Sequence, residues 1–308
     1  MPKIHINRSI EIHSPASDIF EVLIDFKQWT DWSPWLILEK ETSLEFAPEG
    51  NAYQWEGKKI GSGRMAITHK TLNAEIRYEL QFLKPFKSRA KIMFSITDKG
   101  ESCNVSWVMD SSLPFYMGWM KKPMIANMNA DYDRGLLMLK DYIELGEVPS
   151  QTFDEGIVSF QGCHYVGITT ECSIEEMAST MNSDFGDLML WVDDEEIEVI
   201  GEPLTIYHKM DRIKNECAFT VAVPIDELPE EIPDPYHTGK IPPLKAHKLT
   251  HEGPYRHLGN VWALGQMMIR DKSIKTKKGF PPFETYLNDP QDTADELLET
   301  AVFFPVDY

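Results

Sequence analysis

The chain has little that would cross-link it, carry it across a membrane or hold it to nucleic acid. Its 308 residues include four cysteines, Cys103, Cys163, Cys172 and Cys217, and no two of them form a CxxC pair. The N-terminal stretch MPKIHINRSIEIH alternates and has no apolar core of the signal-peptide kind. Without an export signal, the expectation is a cytoplasmic protein with reduced thiols. No apolar run approaches the ~18 residues of a membrane span, so membrane insertion is not expected. His247, His251 and His257 fall on no helical i,i+4 face. Neither a metal site nor a cofactor is therefore expected.

An excess of positive charge is also missing. The net charge is −19, and it is unevenly spread. Residues 1–150 hold 18 Lys+Arg against 20 Asp+Glu, whereas residues 151–308 hold 12 against 29. The acidic half repels phosphate backbones, and no basic stripe or recognition helix is visible, which argues against direct nucleic-acid binding. Acidity of this kind serves solubility. It also favours cationic ligands.

What is present reads as an α+β chain of about two domains. In the first half, Ile4, Ile6, Ile10 and Ile12 share one face of a half-buried strand. Ser14-Pro15 supplies an N-cap and a first-turn proline for a helix whose stripe is Ile19, Phe20 and Leu23. WTDWSPW follows, and then a series of alternating strands. Their inward sets are Ala74, Ile76, Tyr78, Leu80 and Phe82; Ala90, Ile92, Phe94 and Ile96; and Cys103, Val105, Trp107 and Met109. Short turns such as Asp98-Lys99-Gly100 make the sheet antiparallel. Beyond Pro123 the pattern becomes one long helix carrying Met124, Met128, Leu136, Leu139 and Ile143 on or near one side. Arg64, His69 and Glu79 stay open between polar cavity positions and solvated strand positions.

Three segments, WTDWSPW, YQWEGKKIGSGRMAI and DRGLLMLKDYIE, make this half resemble an SRPBCC (START-like, polyketide cyclase/dehydrase) domain. The resemblance implies a helix-grip fold, an antiparallel sheet around a long C-terminal helix that encloses a deep hydrophobic cavity. It implies no particular reaction. The domain is assigned to residues 1–146, and residues 147–156, rich in Gly, Pro, Ser and acids, are expected to be a linker.

Residues 157–308 repeat themselves. At an offset of 81, Ile174 aligns with Tyr255, Met177 with Leu258, Met181 with Trp262 and Leu188 with Ile269. At an offset of 79, Pro203 aligns with Pro282, Leu204 with Phe283, Ile206 with Thr285 and Tyr207 with Tyr286. The pattern predicts two strand–helix–strand–strand copies packed about a pseudo-twofold axis, with a cleft between them. The segments GEPLTIYHKMD, FTVAVPI, HEGPYRHLGNVWAL, FETYLNDPQDT and ELLETAVFFPV make this half resemble a GyrI-like effector-binding domain, of the kind found at the C-termini of AraC-type and MerR-type multidrug regulators.

The resemblance implies that Glu284 lies on the floor of the cleft and meets cationic aromatic ligands between tyrosine and tryptophan walls. Tyr286, Tyr255, Trp262 and Trp191 are the candidate wall residues. Strand alternation puts Glu284 and Tyr286 on one face and Phe283, Thr285 and Leu287 on the other. If the second set packs on the helices, Glu284 looks into the cleft. Otherwise it is an acid at a solvated edge. The first copy has Thr205 at the position of Glu284, so charge would enter the cleft from one side only.

The leading expectation is a binder of small hydrophobic or cationic aromatic molecules. It would have two ligand-binding domains, a sensor or sequestration role and no DNA-binding domain of its own. A protein partner or a homodimer stays open. The alternative is a hydrolase or cyclase acting on a small hydrophobic substrate, with Glu284 as general base and Tyr286 assisting. No nucleophile–base–orienter set and no GxSxG motif supports it.

Overall fold

The computed structural model describes residues 2–85 and 87–307, and the chain divides into two compact units, residues 1–149 and 150–308. In the first unit β1 (Lys3–Ile12) leads into α1 (Ala16–Ile24), α2 (Trp29–Trp32) and a 3-10 turn at Leu36–Leu38. β2 (Ser43–Phe46), β3 (Ala52–Glu56), β4 (Ser62–Thr71), β5 (Glu75–Lys84), β6 (Ser88–Asp98) and β7 (Cys103–Ser112) follow. The unit ends in α3 (Lys121–Leu145). The sheet is antiparallel, in the order β1-β7-β6-β5-β4-β3-β2.

Alternation is obeyed where it was expected. Ala90, Ile92, Phe94 and Ile96 are all buried, as are Cys103, Val105, Trp107 and Met109. Leu136 and Leu139 are buried on α3, while Met124, Met128 and Ile143 pack partly buried on the same core. Arg64, His69 and Glu79 are exposed. The start of α1 differs by one position: Pro15 is the N-cap residue, and no side chain caps the helix.

Aromatic rings pack between sheet and helix. Trp107 stacks on Tyr132 of α3 at 4.1 Å and on Phe94 at 4.8 Å, and Trp29 lies 4.7 Å from Trp32. Gly135 is what lets α3 approach so closely. A Cβ there would stand 2.8 Å from the Trp107 ring.

The second unit contains β8 (Gln151–Phe160), β9 (Cys163–Cys172), α4 (Met177–Asp194), β10 (Leu204–Asp211), β11 (Glu216–Ile225), β12 (Tyr236–Ile241), β13 (Leu244–Glu252), α5 (Gly259–Arg270), β14 (Phe283–Tyr286) and β15 (Glu299–Pro305). These strands form one antiparallel sheet in the order β12-β9-β11-β10-β14-β15-β13-β8. Residues 151–156, read from the sequence as linker, form the first six residues of β8.

The internal repeat is visible in the ladder. Leu204 pairs with Thr285, Thr205 with Glu284 and Ile206 with Phe283. Exchanging the copies at an offset of 79 turns the first pair into the third and leaves the middle pair unchanged. The flanking bonds obey the same exchange: Tyr207 N donates to Pro282 O at 3.0 Å, and Tyr286 N donates to Pro203 O at 3.0 Å. The pseudo-twofold axis therefore passes between Thr205 and Glu284. Each copy also has a leading strand that the sequence pattern did not separate. β8 precedes β9 but pairs with β13, and β12 precedes β13 but pairs with β9. Each copy thus lends a strand to the outer edge of the other.

Candidate functional site

The axis positions Glu284. Its strand, β14, is only four residues long and lies at the centre of the sheet, between β10 and β15. Phe283 points to one face, where it stacks on Phe303 at 4.8 Å and meets Phe160 at 4.9 Å. Glu284 and Tyr286 point to the other.

The expected arrangement is reversed here. Glu284's face is the one that carries the helices, because Trp262 of α5 and Met181 and Phe185 of α4 all contact the Glu284–Tyr286 pair. Phe283 and Leu287 instead join an apolar cluster built from strands. Strand–helix–strand connections in both copies cross over the same face, and this layers the acid between sheet and helices. Glu284 is 1% exposed, so it is no solvated edge residue.

Three side chains donate to the carboxylate. Tyr207 Oη reaches Oε1 at 2.6 Å, Tyr286 Oη reaches Oε1 at 2.8 Å and Trp262 Nε1 reaches Oε2 at 3.0 Å. Tyr207 and Tyr286 are repeat mates, so two symmetry-related phenols converge on the single acid at the axis. Thr205 Oγ1 lies 2.9 Å from Tyr286 Oη. Since the Tyr286 hydroxyl gives its proton to the carboxylate, Thr205 is the donor in that contact. Met181 Sδ lies 3.4 Å from Tyr286 Oη. Among the described residues no Lys, Arg or His pairs with Glu284.

Electrostatics follow from this enclosure. Burial raises the Glu284 carboxyl above its ordinary range, and the bonds from Tyr207, Tyr286 and Trp262 pull only partly against it. Tyr207 and Tyr286 are held well above the usual phenol range, first by burial and then by the neighbouring carboxylate. Both stay protonated and able to donate. An ionised carboxylate offers about four acceptor positions, and three are used. What is missing is a positive charge.

Rings surround the acid. Tyr207 meets Trp262 edge-on at 4.9 Å, Tyr255 meets Tyr286 at 5.8 Å, and Phe185 meets Tyr286 at 5.5 Å. Trp262 leans on Phe304 at 5.4 Å. Gly265, one turn further along α5, permits this contact, since a Cβ there would fall 2.2 Å from the Phe304 ring. Tyr255 sits in a short 3-10 turn ahead of α5 and is 37% exposed, which makes it the outermost ring of the group. Burial pushes its phenol up to about 12.

The structure thus brings Glu284, Tyr286 and Trp262 into direct contact and adds Tyr255 through Tyr286. It does not bring in Trp191. That ring stacks on Tyr236 at 4.2 Å, and no hydrogen bond or ring contact joins it to Glu284, Tyr207, Tyr286 or Trp262. Tyr207, Thr205, Met181 and Phe185 were missed as site residues. The signal for Tyr207 was available, because an axis through Glu284 makes the repeat mate of Tyr286 an equal neighbour of the acid. Among the described residues, no group of three His, Cys, Asp or Glu side chains is placed to hold a metal ion, and no helix is long and apolar enough to cross a membrane.

Comparison with known proteins gives two family matches. Residues 3–144 match polyketide cyclase / dehydrase and lipid transport, and residues 156–307 match the GyrI-like small molecule binding domain. No curated protein matches the chain in sequence. Among solved structures, the EcmrR–DNA complex is similar at 16% identity and a TM-score of 0.43, covering 60% of this chain and 68% of that one. SAV2435 bound to tetraphenylphosphonium is similar at 16% identity and a TM-score of 0.40, covering 49% and 92%. The Aha1 dimer from Colwellia psychrerythraea is similar at 16% identity and a TM-score of 0.35, covering 46% and 98%. The chain joins a polyketide cyclase/dehydrase-type domain at residues 3–144 to a GyrI-like small molecule binding domain at residues 156–307.

Proposed function

We propose that the GyrI-like unit binds a small cationic aromatic molecule with Glu284 as its counter-ion, and that the protein senses or sequesters such molecules without transforming them. One observation carries this reading: Glu284 is a buried carboxylate held by three neutral donors and no cation. Burying a charge is costly unless it is paired. A cation brought to Glu284 supplies the pairing, and the faces of Tyr207, Tyr255, Trp262 and Tyr286 add cation–π attraction of roughly 0.5–2 kcal/mol. Thr205, across the axis, adds no second charge, which suits a monocation held in one orientation. The acidic composition of residues 151–308 raises the local concentration of cations.

The test is titration of the fluorescent cation rhodamine 6G into the full chain and into Glu284→Gln. The amide can accept from Trp262 and donate to a tyrosine hydroxyl, so the variant keeps its packing while losing the charge. Binding at least tenfold weaker in Glu284→Gln is the expected outcome, and equal affinities would sink the reading. Affinity for the dye should also weaken as pH falls through the raised carboxyl range, by up to about tenfold per unit, because the protonated acid is not a counter-ion.

A hydrolase reading has an observation of its own. A carboxyl raised by burial beside two tyrosine hydroxyls has the make-up of a general base acting through water. Turnover of aryl esters that disappears in Glu284→Gln would favour it, and no turnover above buffer would leave the binder.

A further inference from the structure

Cys172 ends β9 and Cys217 lies near the start of β11, where the two are direct partners in the antiparallel ladder. Their Sγ atoms are 3.5 Å apart. Directly opposed residues of such a ladder have Cα atoms about 4.5 or 5.5 Å apart. Both spacings lie inside the window of about 4.4–6.8 Å that disulfides use. Bonding the sulfurs at about 2.05 Å therefore requires side-chain rotation and no rearrangement of the strands.

We propose that Cys172 and Cys217 are a redox couple, oxidised by hydrogen peroxide to a cross-strand disulfide that fastens the end of β9 to β11 at the entrance to α4. The two thiols are not equivalent. Cys217 is 2% exposed, while Cys172 is half-buried. Burial and the neighbouring thiol push Cys217 up to about 11. Cys172 is thus the one that meets the oxidant. Its sulfur attacks one peroxide oxygen, the O–O bond breaks, and a sulfenic acid and one water result. The Cys217 sulfur then attacks the Cys172 sulfur and the S–O bond breaks. The departing hydroxide takes the Cys217 proton as a second water. Overall, two thiols and one peroxide become one disulfide and two waters. Among the described residues, Cys103 and Cys163 are free cysteines with no contact to another cysteine.

The position gives this bond something to act on. In the reduced chain the Cys217 thiol faces the carbonyls of Cys172 at 3.5 Å and Ser173 at 3.7 Å. Ser173 precedes the turn that leads into α4 and is tied to the helix's N-cap residue, its hydroxyl donating to Glu176 Oε2 at 2.7 Å and accepting from Glu176 N at 3.3 Å. α4 in turn carries Met181 and Phe185 against Tyr286. Oxidation exchanges two weak thiol contacts at the root of that helix for a covalent tie.

The test exposes the reduced full chain to one equivalent of hydrogen peroxide, then unfolds and alkylates it for mass spectrometry. The expected product has lost two hydrogens, retains two of its four alkylatable thiols, and yields a peptide joined through Cys172 and Cys217. Dithiothreitol restores all four. Cys172→Ser and Cys217→Ser should each give no joined peptide. Four alkylatable thiols after treatment would overturn the proposal. So would Cys172 gaining two oxygens as a sulfinic acid while Cys217 still alkylates, or a disulfide that links another pair.

Discussion

Each unit buries one glutamate, and the two are held in opposite ways. Glu39 of the first unit, 6% exposed, accepts from backbone amides alone: Lys58 N at 2.7 Å, Lys59 N at 3.0 Å and Ile60 N at 2.9 Å. Those donors belong to the chain turn that the acid ties down, and they can turn away only if the turn itself moves. Glu284 accepts from side chains alone. Phenols and an indole can change rotamer and hand the carboxylate to another partner while the strands stay fixed. Glu39 is therefore a structural acid, and under the proposed function Glu284 is the one that exchanges its partners.

The largest expected effect comes from breaking the structural member. Glu39→Ala leaves three backbone N–H groups without their acceptor and should cost the first unit about 1–3 kcal/mol. Urea unfolding followed by tryptophan fluorescence reads this directly, because six of the eight tryptophans lie in residues 1–149. Dye binding by the second unit should be unchanged. A parallel loss of dye affinity would break the contrast.

A pH-dependent effect comes next. The folded-state pKa of Glu284 is raised, so the stability this group contributes is fully present below the unfolded carboxyl range and is lost as pH rises through the folded value. The stability of wild type relative to Glu284→Gln should therefore fall with rising pH, at up to about 1.4 kcal/mol per unit within that window. Urea midpoints of both proteins across the acidic and neutral range measure it. A difference that does not change with pH would mean that burial does not govern this acid.

The smallest effect separates the two symmetry-related phenols. Tyr207→Phe removes one bond to Oε1, whereas Tyr286→Phe removes the equivalent bond and the acceptor of Thr205. Tyr207→Phe should cost about 1 kcal/mol and Tyr286→Phe somewhat more. Equal losses would mean that the Thr205 contact contributes nothing. Both variants should also raise the Glu284 carboxyl further, moving the pH dependence of dye binding upward.

Much of this was legible before any coordinates. The period-two runs at 90–96 and 103–109 named their own buried sets, and the 79-residue offset already paired Thr205 with Glu284 and Tyr207 with Tyr286. Alternation also separated Glu284 and Tyr286 from Phe283 correctly. The choice of face was not legible, because alternation says which residues travel together and not which side the crossover helices cover. Trp191 illustrates the opposite failure. Its residue type suited a wall, but its turn of α4 faces Tyr236. The Cys172–Cys217 contact spans 45 residues with no motif to announce it, and only the β9–β11 register brings it about.

The amino-acid sequence alone therefore determined the two-part organisation, the inward faces of the strands, the acidic bias of the second half and the internal repeat. These depend on periodicity and composition, which act over a few residues or are sums over many. Only the tertiary structure decided that the acid at the repeat axis lies beneath the helices, that two phenols and an indole converge on it, and that among the described residues no Lys, Arg or His pairs with it. Burial and partnering of a charge depend on how layers stack and where the axis falls, and those are properties of contacts between segments far apart in the chain.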